Sequence, residues 1–303
     1  MTRRPLPEAP IGATDSEPPR GRGAARLAVL GDPIAHSRSP QLHLAAYRTR
    51  DLDWEYSRWR VPAGGLAAAL GGRGQGWRGV SVTAPLKAEA LAFCLSASPD
   101  ARRTGAANTI VFASLDPASP AYADNTDIAG IVGALADHGV DQLAGRVDVL
   151  GAGGTAASAV VAAERLGAPA VRILARRPEA AAALAERFAD SPARITTGDL
   201  TEWRLDEGCA LVIDTVPRGF DGAEAVDPAL AARTPLFSAA YDPWPTPLAA
   251  VWQAAGGVVA TGAEMLLHQA VVQVRLFLGH EAGAPLPNEA GAVAAMRAAL
   301  AAD

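Results

Sequence analysis

The chain has 303 residues, 50% of them hydrophobic, which suits two domains of ordinary size with a core each. Its formal net charge is -5 and no basic stripe runs through it, which argues against nucleic acid as the main ligand. No apolar run reaches the roughly 20 residues needed to span a bilayer, and the N-terminus lacks the apolar stretch of a signal peptide, so no membrane partner and a cytoplasmic location are expected. Cys94 and Cys209 are far apart and lack the close spacing of a metal or redox motif, so they read as core thiols of a reducing compartment, with no metal site.

Residues 1 to 24, rich in proline, arginine and glycine and without an aromatic residue, predict a disordered tail. RLAVLG (26 to 31) reads as the first strand, and a helix follows from Gln41 to about Arg50, with Ser39 as its cap and Pro40 at its first position. WEYSRWRV (54 to 61) alternates as a strand, a glycine-rich linker spans 71 to 79, and GVSV begins the next strand. In VTAPLK, Thr83 reads as a helix cap and Pro85 as a first-turn proline, which puts Lys87 in the first helical turn. TIVF (109 to 112) closes a strand-helix alternation that predicts an α/β layer domain over residues 25 to 127.

A helix from about Ile128 to His138, ended by Gly139, leads into VDVLGAGGTAASAVVAAERLG (147 to 167): a buried strand, a glycine turn and a helix. AVRILARR (170 to 177), ALVIDT (210 to 215), LFSAAY (236 to 241) and GVVATG (257 to 262) continue the pattern. A doubly wound parallel sheet of Rossmann type is therefore expected over 128 to 262. Two apolar-striped helices, from Glu264 and from Pro287, end the chain; residues 263 to 303 are expected to pack back on the first domain.

The chemistry is sought first at Lys87, the only lysine in the sequence. A composition this biased toward arginine leaves a lysine where release of a proton matters, since a guanidinium does not release one. A cation in a first helical turn also opposes the helix dipole, at a cost of about 0.3 to 1 kcal/mol. Asp127, in DNTD, reads either as the cap of the following helix or as a carboxylate that orients Lys87 and completes an acid/base couple. Ser37 and Ser39 stand at a helix N-terminus and read as ordinary caps or as a site for a carboxylate; His36 reads as structural. Tyr241 follows a strand at the edge where doubly wound sheets bind ligands, and Gln269 is a helical amide that either faces the cleft or is solvated. GAGGTA (151 to 156) is the GxGxxA form of the dinucleotide fingerprint, in its required strand-turn-helix context. The second strand of that unit ends in Arg176 and Arg177 where an NAD site offers an acidic residue, which favours NADP.

The segments GDPIAHSRSPQLH, VSVTAPLK, GAANT, DNTDIAG, GAGGTA, YDPWPTP and GAEMLLHQ, in this order between about Leu27 and Gly279, resemble the shikimate dehydrogenase family. The resemblance implies NADP-linked interconversion of 3-dehydroshikimate and shikimate, on the way to chorismate and the aromatic amino acids. It implies that Lys87 and Asp127 form the catalytic couple, that Ser37, Ser39 and Tyr241 hold the substrate carboxylate, and that Thr83, Asn108 and Gln269 bind ring hydroxyls or neighbouring groups. Gly151, Ala152, Gly153, Gly154 and Thr155 would hold the cofactor together with Ala175, Arg176 and Arg177, while Ala239 and Gly262 belong to the same site, Gly262 beside the nicotinamide. Ser81, Leu44, Ala175, Asp214 and Val216 depart from the family's usual residues. The alternatives are a quinate or aminoshikimate dehydrogenase of broader substrate or NAD use, and a non-catalytic regulatory homologue; the chain is read as a monomer or a homodimer.

Overall fold

The structure, a computed structural model, describes residues 24–302. The tail expected over 1 to 24 lies outside them except for its last residue. Short buried strands separated by helices organise the first half: β1 (Ala25–Gly31), α1 (Ser39–Arg48), β2 (Trp54–Arg60), α2 (Leu66–Gly71), β3 (Trp77–Val82), α3 (Lys87–Phe93), β4 (Ser96–Ala97), α4 (Pro99–Thr104), β5 (Thr109–Phe112) and β6 (Ala121–Asp124). Their sheet runs β2-β1-β3-β5-β6-β4, parallel at β2-β1-β3 and antiparallel where β5 joins β3 and β6. Along β1 the side chains alternate between two cores: Leu27 and Val29 face one, Ala28 and Leu30 the other. Each fully buried aliphatic side chain of this kind contributes about 1.5 to 3 kcal/mol.

Helix α5 (Asp127–Ala136) carries the chain into a second sheet. There β7 (Arg146–Leu150), α6 (Gly154–Arg165), β8 (Ala170–Ala175), α7 (Pro178–Arg187), β9 (Arg194–Asp199), β10 (Cys209–Asp214), α8 (Pro228–Ala231), β11 (Leu236–Ser238), α9 (Pro247–Ala254) and β12 (Val259–Thr261) follow. All pairings are parallel, in the order β12-β11-β10-β7-β8-β9. This is the doubly wound order, with its reversal between β7 and β10, and a ligand crevice opens at such a reversal.

Helix α10 (Gly262–Phe277), started by a capping box between Thr261 and Glu264, leaves the second sheet and returns to the first. It packs with α11 (Glu289–Leu300) against α1 and β1: Leu267, Val271, Phe277 and Met296 share a core with Leu27 and Tyr47. Gly79 makes room for this return, because a β-carbon there would lie 2.6 Å from the Phe277 ring. The two helices that cross between the sheets also touch closely. A β-carbon at Gly130 of α5 would come within 2.8 Å of the Met265 carbonyl oxygen, and one at Gly133 within 2.5 Å of the His268 ring.

Several elements differ from the sequence reading. β4, α4 and β6 were not expected; β4 has only two residues and β6 four, too short for a period to register. β9 is a half-exposed edge strand, RITTGD, whose polar residues hide it. The linker expected over 71 to 79 already contains the start of β3 at Trp77. Thr83 does not cap a helix: its carbonyl accepts from the Leu86 N–H at 2.9 Å, which closes a turn and delays α3 until Lys87. Ser39 is likewise the first residue of α1 rather than its cap.

Candidate active site

Strand β3 and the turn after it deliver Lys87 as the first residue of α3, and β6 delivers Asp127 as the first residue of α5. The Lys87 ammonium donates to Asp127 Oδ2 at 2.5 Å. The other carboxylate oxygen, Oδ1, accepts from Asn108 Nδ2 at 2.8 Å, so both oxygens of a side chain only 6% exposed are committed. The alternative in which Asp127 serves merely as a cap does not hold, since Thr126 takes that position and the Asp127 carboxylate turns to the lysine. The cost of a cation at a helix start is met here by a direct anionic partner.

One cavity of about 300 Å³ collects the predicted substrate residues Ser37, Ser39, Thr83, Lys87, Asn108, Asp127, Tyr241 and Gln269 in its lining. The Ser37 hydroxyl donates to Ser39 Oγ at 3.3 Å and its oxygen accepts from the Ser39 N–H at 3.4 Å, a local contact at the start of α1, whose N-cap position is taken by Arg38. Gln269 is 6% exposed rather than solvated; its Oε1 accepts from Asn108 Nδ2 at 3.2 Å. Burial raises the Tyr241 hydroxyl pKa, as does Asp242, while Arg38 and Arg58 pull it down. His36, expected to be structural, is exposed at the cavity mouth. The buried histidine is His43, which burial holds down at about 3 and therefore neutral. A larger opening, about 430 Å³ between β6 and the end of α10, includes Tyr122, Asp124 and His280 in its walls but neither Lys87 nor the glycine turn.

The glycine turn joins β7 to α6 at the reversal point of the second sheet. Gly151 has φ +112°, and a β-carbon there would strike Thr215 Oγ1 at 2.4 Å. Gly153 and Gly154 are exposed, nothing lies within 4 Å of a β-carbon at Gly153, and α6 lacks a side-chain cap. The helix therefore presents free amides to an open space, as a pyrophosphate requires. At Gly154 an added β-carbon would stand 3.9 Å from Lys87 Cδ, which sets the turn directly beside the ammonium-bearing side chain. Thr155, Ala239 and Gly262 line the same cavity. Ala152 is half-buried and Ala175 buried, whereas Arg176 and Arg177, just past β8, are exposed. Two guanidinium groups next to the turn suit a 2′-phosphate, so the residues present fit NADP.

Sequence reasoning missed the polar support beneath this cavity. Gln273 is 1% exposed; its Nε2 donates to the Asn108 carbonyl at 3.2 Å and to Thr109 Oγ1 at 2.9 Å. Its Oε1 accepts from Ser81 Oγ at 2.7 Å and faces His43 Nε2 at 3.1 Å, a pattern that assigns the proton of His43 to Nε2. Ser81 in turn accepts from the Tyr56 hydroxyl at 2.6 Å. The signal was present in the spacing: Gly262, Met265, Gln269 and Gln273 recur on one face of α10 and all line the cavity. Asp214 is fully buried at the end of β10. Its carboxylate accepts from the backbone N–H groups of Val216 at 3.0 Å and Phe220 at 2.9 Å, which holds the loop beside the glycine turn. Burial pushes its pKa up to about 6 against the pull of these two donors.

A doubly wound dinucleotide sheet facing a polar cavity with an ammonium-carboxylate couple defines the class of two-domain dehydrogenases. Residues 29–110 match the model of the shikimate dehydrogenase substrate binding domain. The shikimate dehydrogenase (NADP(+)) of Acidiphilium cryptum is 38% identical over 256 residues, 82% of this chain and 89% of that protein. The crystal structure of Mycobacterium tuberculosis shikimate dehydrogenase superposes with a TM-score of 0.77 at 41% identity, covering 92% of this chain and 99% of that one. The Thermus thermophilus shikimate 5-dehydrogenase, solved in complex with NADP(H) and shikimate, gives a TM-score of 0.75 at 32% identity over 91% of this chain and 99% of that one. The chain belongs to the shikimate dehydrogenase family.

Proposed function

We propose that this protein is a shikimate dehydrogenase, which reversibly reduces 3-dehydroshikimate to shikimate with NADPH in the cytoplasmic route to chorismate and the aromatic amino acids. Lys87 is the proton donor in reduction and the acceptor in oxidation, and Asp127 positions its ammonium. NADP, held by Gly151, Ala152, Gly153, Gly154 and Thr155 and by the strand-end residues Ala175, Arg176 and Arg177, supplies or receives the hydride, with Ala239 and Gly262 lining its nicotinamide end. Ser37, Ser39 and Tyr241 take the substrate carboxylate. Thr83, Asn108 and Gln269 orient its ring hydroxyls, and Asn108 does so while fixing Asp127. In this reading residues 25–127 bind substrate, 128–262 bind cofactor and 263–303 return to the substrate half.

The observation that carries the reading is the Lys87–Asp127 contact of 2.5 Å placed beside the glycine turn. It joins a proton-transfer group to the cofactor cradle in one cavity. The test is NADPH formation from shikimate by the purified protein, run in parallel with NAD and with quinate. Turnover confined to shikimate with NADP supports the proposal. Equal turnover of quinate or equal use of NAD would redirect it to a broader dehydrogenase, and no turnover of either substrate would refute it.

A further inference from the structure

Strand β2 stands behind the serines that line the cavity and reaches them through its side chains. Its alternation puts Tyr56 and Arg58 on the same face, two residues apart. The Tyr56 hydroxyl donates to Ser81 Oγ at 2.6 Å and is also hydrogen-bonded to the Ser39 side chain. Arg58 reaches the other serine: its Nε and Nη2 both donate to the Ser37 carbonyl oxygen, at 2.8 and 2.6 Å. Its charge is felt across the cavity as well, where it acts with Arg38 to favour the ionised form of the Tyr241 hydroxyl.

The neighbouring charges show what an anion would meet there. The Lys87 ammonium is matched by Asp127 at 2.5 Å. The Asp32 carboxylate, at the outer edge, is held by Arg60 Nε at 2.9 Å, and Asp242 lies beside Tyr241. Arg38 donates to the Leu300 carbonyl at 2.7 Å and adds to the same positive potential. The Arg58 guanidinium, by contrast, is spent on a neutral carbonyl, so its full charge stands behind the Ser37–Ser39 hydroxyl pair.

We propose that Arg58 is a specificity-determining residue: it is the fixed positive charge that makes this site demand an ionised carboxylate, and its grip on the Ser37 carbonyl holds the serine hydroxyls toward that group. The serines and Tyr241 supply neutral hydrogen bonds, and Arg58 supplies the discrimination between a carboxylate and an uncharged ester or amide of the same shape. This rests on the proposed function, since shikimate carries the carboxylate in question.

The experiment is steady-state kinetics of the wild type, Arg58→Met and Arg58→Lys at saturating NADP, with shikimate and with its methyl ester. Arg58→Met is expected to raise KM for shikimate about ten- to a hundredfold, the loss of one charge-assisted interaction, with kcat nearly unchanged and KM for the ester, which loses only the positioning of the serines, raised by a much smaller factor. Arg58→Lys restores most of the preference for acid over ester. A purely structural role would raise both KM values by the same factor, and that result, or a lysine variant no better than methionine, would overturn the proposal. Should Arg58→Met fail to fold, the wild type still decides: KM for shikimate rises with ionic strength while that for the ester stays flat, and parallel salt curves would count against the charge. A wild type inactive on shikimate would instead defeat the proposed function itself.

Discussion

Replacing Lys87 by arginine separates charge from proton transfer. The ammonium and Asp127 are 17% and 6% exposed, and Asp127 is held from behind by Asn108 at 2.8 Å, so an arginine retains a buried anionic partner. The ion pair survives, and the fold should lose no more than about 1 kcal/mol. What disappears is a donor that can hand its proton to a substrate, since a guanidinium does not release one. General acid-base catalysis is worth about 10²- to 10⁴-fold, equivalent to about 3 to 5.5 kcal/mol of barrier, so kcat for shikimate should fall by that factor while NADPH affinity, followed by cofactor fluorescence, stays near wild type. Lys87→Met differs in kind: it strands a buried carboxylate, and breaking one partner of such a pair costs about 3 to 5 kcal/mol of stability, readable in urea unfolding. Small alkylamines should restore turnover to Lys87→Ala, and guanidine should not. The reasoning is refuted if Lys87→Arg keeps more than about a tenth of wild-type kcat, well above the range for a lost proton donor.

Further outcomes follow from buried groups and tight backbone contacts. Asp214 has its pKa raised from 3.8 to about 6 by burial, so its contribution to stability is full below the unfolded value and is lost as pH rises through about 6. A rise of this size corresponds to about 3 kcal/mol, and Asp214→Asn should flatten that part of the pH dependence in urea titrations between acid and neutral pH. Asp148 behaves in the opposite sense. Burial pushes its pKa up, but donation from Arg172, Arg146 and Trp203 leaves it lowered, so its stabilisation is present above the unfolded pKa and lost as pH falls through the folded one. Asp148→Ala should cost about 3 to 5 kcal/mol in thermal or chemical unfolding at neutral pH. Gly262→Ala would place a β-carbon 2.1 Å from the Ala239 carbonyl oxygen and should cost about 1 to 3 kcal/mol together with most of the turnover. Gly153→Ala has open space around it, so melting temperature should hold while the dissociation constant for NADPH rises.

The second sheet was legible because its signals are local. Val147 to Leu150 is a short buried run ending at a glycine turn, and the helix after it starts on schedule. Lys87 stood out by composition, and its partner Asp127 by standing at the cap of the helix expected from about Ile128. The far edge of the first sheet was not legible: β6 is four residues and β4 two, held by their pairing, β6 with β5 and β4 with β6, rather than by their own pattern. The support under the cavity was hidden for a different reason. Gln273 shares a face of α10 with Gly262, Met265 and Gln269, but the hydrogen bonds that Gln273 and Tyr56 make to Ser81, 192 and 25 positions away, exist only once the fold brings them together. The position of Ser39 failed by one residue, the usual uncertainty at a helix start.

At Gly130 and Gly133 the two connecting helices meet with bare backbone of α5 against the Met265 carbonyl and the His268 imidazole, with no room for a β-carbon at either position. The spacing of these two helices is thus gauged by the thickness of a peptide chain, and a single added methyl would act as a shim that prises them apart.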